Sequence, residues 1–157
     1  MTTLKVTVRK VDDWQIVTLE GSIVEGAEDT LTGLLNEIGS LCIIDCGGID
    51  AINSSGIAEW LAFRASFDRK RNVVLQKVSP PLVVLMNIMP NLTDRTTIRS
   101  VLFPYDCQKC GKGYLIEVQV TPDLVPDSLV ASEMVCTKCQ VSLESQVDPN
   151  EYLAFLR

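Results

Sequence analysis

Residues 41–57, Leu-Cys-Ile-Ile-Asp-Cys-Gly-Gly-Ile-Asp-Ala-Ile-Asn-Ser-Ser-Gly-Ile, constrain the fold more than any other stretch of this chain. The apolar run 41–46 predicts a strand buried on both faces. Gly47-Gly48-Ile49-Asp50 reads as a turn-rich connector, after which Asn53-Ser54-Ser55-Gly56 opens the longest helical pattern, at residues 54–71. Two serine hydroxyls therefore stand at a helix N-terminus. There, unpaired backbone N–H groups and the positive end of the helix dipole favour added negative charge. Asn53 or Ser54 is also a preferred cap, so capping alone accounts for part of the pattern.

The surrounding segments alternate in period. Residues 4–9 alternate with period two, and Asp12-Asp13 turns the chain into a second strand, predicting an opening hairpin. Ala27, Leu31, Leu34, Leu35 and Ile38 recur at helical spacing, and Gly39 closes that helix. A strand at 73–78 follows the serine helix. Pro80-Pro81 then leads into a short helix that Pro90 ends, and residues 98–103 read as a last strand. This order implies a mostly parallel sheet with crossover helices, made mixed by the first hairpin. On the serine helix Ile57, Ala58, Leu61, Ala62 and Ala65 form one stripe, suited to close packing on a sheet. Trp60, Phe63 and Phe67 form the other, which is either covered within the molecule or a partner surface beside the serines.

The buried strand, the serine pair and the Gly-Ile start of the helix resemble the signature of STAS domains, found in anti-sigma factor antagonists and related bacterial regulators. Residues 16–23, with Gly21 at the turn, are similar to the family's second strand, and 27–38 to its first helix. Asp45 stands where the family often has an aspartate. The resemblance covers residues 1–103 and implies a STAS-like α/β fold with a mixed sheet. It also implies that Ser55, the second serine, is the phosphorylation position, with Asn53, Ser54 and Gly56 forming the switch segment. Asn53 replaces the family's usual aspartate, and Val24 stands where an acidic residue is common. The implied partner is a protein, such as a serine-kinase anti-sigma factor or a related switch protein.

The last third of the chain has its own signature. Cys107-Gln108-Lys109-Cys110 and Cys136-Thr137-Lys138-Cys139 are two Cys-x-x-Cys pairs with 25 residues between them. Each short spacing lets two thiolates converge on one ion, and four sulfurs close a tetrahedral structural zinc site. The segment resembles a zinc ribbon, with strands at 113–120 and 133–135. Disulfides, an iron centre of rubredoxin type and a redox dithiol are the alternatives. Cys42 and Cys46, four apart on one strand, are about 13 Å apart and read as core residues. Residues 148–156 predict a terminal helix with Asp148 as cap and Pro149 in its first turn. The expected organisation is a regulatory domain at 1–103, a zinc-ribbon insertion or appendage at 104–147, and a helix at 148–157 that either packs back on the domain or belongs to the ribbon appendage.

Composition narrows the functions. The 157 residues carry a net charge of −6 and include no histidine, which removes the commonest general base and any mixed Cys/His metal site. Residues 101–157 hold 4 Lys and Arg against 8 Asp and Glu, so nucleic acid and anionic membranes are poor partners for the ribbon. No apolar run is long enough to span a bilayer and no leader pattern opens the chain, so a cytoplasmic protein is expected. With no phosphate-binding glycine loop and no open metal position, no catalytic residues are expected. The expectation is a non-enzymatic signalling module. A constitutive adaptor of the same fold and a nucleic-acid-associated ribbon protein are the alternatives.

Overall fold

The computed structural model describes residues 3–67, 72–93 and 96–156. It opens with the expected hairpin: β1 (Lys5–Val11) runs antiparallel to β2 (Trp14–Ile23), with Val11 opposite Trp14. Asp12 takes the left-handed conformation, φ 53°, that a two-residue hairpin turn asks for. Helix α1 (Ala27–Glu37) buries Ala27, Leu31 and Leu34. It leads to β3 (Leu41–Ile52), which lies parallel to β2 on one side and to β4 (Asn72–Gln76) on the other. Helix α2 (Ser54–Ala65) connects β3 to β4. Helix α3 (Pro80–Ile88) connects β4 to β5 (Thr96–Ile98), which completes a mixed sheet of order β1-β2-β3-β4-β5.

Two features of β3 differ from the expectation. Its burial alternates, with Cys42, Ile44 and Cys46 fully buried while Leu41, Ile43 and Asp45 are only half-buried, so one face carries the core and the other is partly open. The strand also runs through Gly47-Gly48 to Ile52 rather than stopping at a turn. It follows β2 to the pair Ile23–Ile52, with register shifts near Glu20 and Gly21. The glycine here serves close approach: a Cβ on Gly48 would lie 2.9 Å from the Leu19 carbonyl oxygen. Sequence alone cannot separate that use from a turn, because both need the missing side chain.

The expected last strand at 98–103 is two strands meeting at Arg99. β5 ends the first sheet, and β6 (Ser100–Asp106) begins a second one of order β7-β6-β9-β8. The other members are β7 (Gly113–Gln119), β8 (Ala131–Val135) and β9 (Ser142–Ser145). β9 had no signal in sequence, since Ser-Leu-Glu-Ser offers one apolar side chain. The two sheets are joined at the start of β6. Arg99 N–H donates to the Leu75 carbonyl at 2.8 Å, Leu102 N–H to Val78 at 2.9 Å, and Lys77 N–H to the buried Ser100 hydroxyl at 2.8 Å. Ser100 in turn donates to Glu117 at 2.6 Å.

The chain then returns to the first unit. Helix α4 (Pro149–Tyr152) is capped by Asp148, which accepts the Asn150 amide at 2.8 Å. Asn87 of α3 grips the end of the segment from both sides. It donates to the Tyr152 carbonyl at 2.9 Å and accepts the Phe155 amide at 2.7 Å. Tyr152 reaches the Leu102 carbonyl at 2.7 Å and stacks edge-on against Phe103, while Leu153 is buried. The fold is thus mixed α/β, with the cysteine cluster in a small antiparallel sheet held to the main sheet through β6 and the terminal segment.

Candidate metal centre and serine junction

The two Cys-x-x-Cys segments fold into equivalent turns. In the first, Gly111 N–H donates to the Cys107 carbonyl at 2.7 Å, and Cys107 N–H to the Lys112 carbonyl at 2.9 Å. In the second, Gln140 N–H donates to Cys136 at 2.9 Å and Cys136 N–H to Val141 at 2.8 Å. Gly111 and Gln140 hold the same place and are both left-handed, at φ 75° and 58°. The β6–β7 and β8–β9 hairpin turns bring the knuckles together.

Cys107, Cys110, Cys136 and Cys139 place all four Sγ atoms within 4.8 Å of one another, and Cys110 and Cys136 approach to 3.7 Å. Tetrahedral coordination at a metal–sulfur distance of about 2.3 Å puts sulfurs about 3.8 Å apart, so the set fits one four-coordinate ion. A disulfide needs about 2.05 Å, and all four cysteines are free. The thiols also disagree about charge. The Tyr114 hydroxyl, followed by burial acting the other way and the Cys139 and Lys138 amides, leaves the Cys136 thiol lowered to about 6. Burial first, then Cys110 and Cys107, pushes Cys139 up to about 12. Four crowded sulfurs resist joint ionisation; a dication at their centre removes the conflict.

Cys42 and Cys46 lie apart from this cluster as core residues, and burial, with help from Asp45 and Cys42, drives the Cys46 thiol far above the usual range. Asp45 is a structural partner. It accepts the Gly47 amide at 2.9 Å and the Gln76 side chain at 3.4 Å, and pairs with Lys77 at 3.6 Å.

At the second site, Asn53 caps α2 by accepting the Gly56 amide at 2.9 Å, and its own N–H donates to the Ile23 carbonyl at 3.3 Å. Gly56 rests on the end of β2: a Cβ there would stand 1.7 Å from the Ile23 carbonyl oxygen. Ser54 is exposed and Ser55 half-buried, at the first two helical positions. Because Asn53 does the capping, neither hydroxyl is needed for it. Nearby on β2, Ser22 donates to Asp50 at 2.6 Å, a contact that no sequence pattern signalled.

Trp60, Phe63 and Phe67 correct an expectation. Each is 2 % exposed, so they form no partner surface. Trp60 and Phe63 rings lie 5.6 Å apart and Phe63 and Phe67 5.0 Å, the latter edge-on, in the same core as Cys42 and Cys46. The alanine stripe faces outward instead, with Ala58, Ala62 and Ala65 exposed. Both stripes were apolar enough to be buried; the larger one, with more surface to remove from water, took the core.

Among solved structures the chain is similar to a protein of the DUF3478 family with a SpoIIAA-like fold from Shewanella loihica PV-4. The identity is 11%, the TM-score 0.45, and the match covers 62% of this chain and 86% of that one. It is also similar to the anti-sigma factor antagonist SpoIIAA in its unphosphorylated form, at 13% identity and a TM-score of 0.37, over 55% of this chain and 83% of that one. No protein-family model matches the chain, and no curated protein matches it. Likenesses at these values carry no argument for this chain, and both its fold and its residue roles come from the geometry above. No helix of the described residues is long and apolar enough to cross a membrane.

Proposed function

We propose that this chain is a non-enzymatic protein-interaction module of the anti-sigma factor antagonist kind. In this reading residues 1–103 are the regulatory domain, 104–147 a zinc-ribbon insertion, and 148–157 the segment that packs back on it. The carrying observation is the serine junction: a cap supplied by Asn53 leaves two serines at the head of α2 with their hydroxyls uncommitted to capping. Unphosphorylated, this end of the molecule docks on a protein partner, either a serine-kinase anti-sigma factor or a related switch protein. A phosphate on Ser55 adds about −1.5 to −2 charges. First-turn amides and the helix dipole accommodate it within the chain. Its effect therefore falls on the partner, which is released without unfolding.

The four cysteines hold zinc in a structural role, since four sulfur donors complete the tetrahedron and leave no position for water. The chain's own contribution is to fix the knuckles by their amide turns. The ion, when bound, ties the two halves of the small sheet together. A cytoplasmic setting, where thiols stay reduced, suits such a centre. Incubation with ATP and the cognate anti-sigma kinase, followed by mass spectrometry, tests the switch. Modification is expected at Ser55 and lost in Ser55→Ala, and modification that persists in that variant rejects the site.

A further inference from the structure

We propose that Tyr114 is the hydrogen-bond donor behind the thiolate centre, setting the charge carried by the Cys136 sulfur and locking one knuckle to the other. Tyr114 lies at the start of β7, just past the first knuckle, yet its hydroxyl reaches the second, 3.3 Å from Cys136 Sγ. The orientation is fixed from behind. Thr137 N–H donates to the same phenol oxygen at 3.2 Å, and Thr137 Oγ1 also stands 3.2 Å away. With that oxygen accepting from the amide, its own proton is directed at the sulfur. Above the ring, Lys112 Nζ sits 5.1 Å from the centroid, a cation–π contact that brings positive charge to the same side.

The chemistry follows from the charge. Four thiolates around a divalent ion carry a net charge of about −2, and the groups that hydrogen-bond the ligands tune how much of it each sulfur gives to the metal. Cys136 is fully buried and cannot share its charge with water, whereas Cys110 is exposed and can. Tyr114 supplies from within the protein what solvent supplies to Cys110. It is a positioning residue, acting on the metal through a ligand.

This inference rests on the metal-centre reading of the four cysteines, and its test separates the two. Full-length wild type, Tyr114→Phe and Lys112→Ala are loaded with cobalt(II), and the sulfur-to-cobalt charge-transfer band is recorded. Zinc affinity is then measured against a chelator. Tyr114→Phe keeps the ring but loses the hydroxyl. It is expected to move the band to lower energy and to weaken zinc binding about tenfold. Lys112→Ala, at an exposed side chain, should move the band the same way by less. A packing role alone would change thermal stability and leave the band in place, so a band unmoved in every variant that folds overturns the proposal. Wild-type protein that takes up neither metal overturns the metal reading itself.

Discussion

At Gly56 there is no space for a methyl group, because the Ile23 carbonyl oxygen occupies it. Gly56→Ala must lift α2 from β2, and we expect a loss of about 3 kcal/mol, read by urea unfolding. Asn53→Ala loses the cap but not the packing, so about 1 kcal/mol should go and the fold should remain. Gly111 and Gln140 form an internal comparison, since both are left-handed in equivalent turns. Gly111→Ala should cost about 1 kcal/mol, whereas Gln140→Gly should be close to neutral or stabilising. Protons report on the same site. In the metal-free protein the Cys136 thiol is lowered from 9.0 to about 6, so the folded state favours its thiolate. The stability this gives is complete above about pH 9 and fades as pH falls through about 6, where the folded form takes up the proton. Thermal unfolding of chelated protein across that window checks the sign. Stability that rises as pH falls from 9 to 6 would contradict it.

Helix α2 shows how far patterning carries and where it stops. Its start was legible, because Asn-Ser-Ser-Gly after an apolar strand is a capping signal with a physical cause. Its orientation was not, because a ring stripe and an alanine stripe on opposite sides satisfy the same periodicity. Trp60→Ala therefore acts as a core truncation, and about 3–5 kcal/mol of stability should be lost. A variant that stays fully stable but binds a partner less well would restore the surface role that burial argues against. β3 was legible as a buried strand, while its continuation through Gly47-Gly48 was hidden by the double use of glycine. The knuckles were the clearest element of all, because metal-ligand spacing is set by bond lengths and not by context. The short β9 was the least, carrying too few apolar residues to betray a strand.

On the scale of the molecule, β6 is a strand of the small sheet that is also tied to the end of the main one. Its first residues bond to Lys77 and Val78, just past β4, and its last leads into Cys107. The terminal segment closes the same joint, with Asn87 and Tyr152 spanning α3 and β6. Anything that loosens the cysteine cluster therefore acts on the strand that is bonded to the end of the main unit. Chelation of bound metal should lower the melting temperature of the whole chain. Two separate transitions, with only the smaller one sensitive to chelator, would mean that the joint does not transmit.

The reading as a switch is tested most directly by affinity capture of binding proteins on wild type, Ser55→Ala and Ser55→Asp in parallel. A partner retained by the first two and lost from the third is the predicted result. The same partner held equally by all three would make the serine junction a bystander and the chain a fixed adaptor.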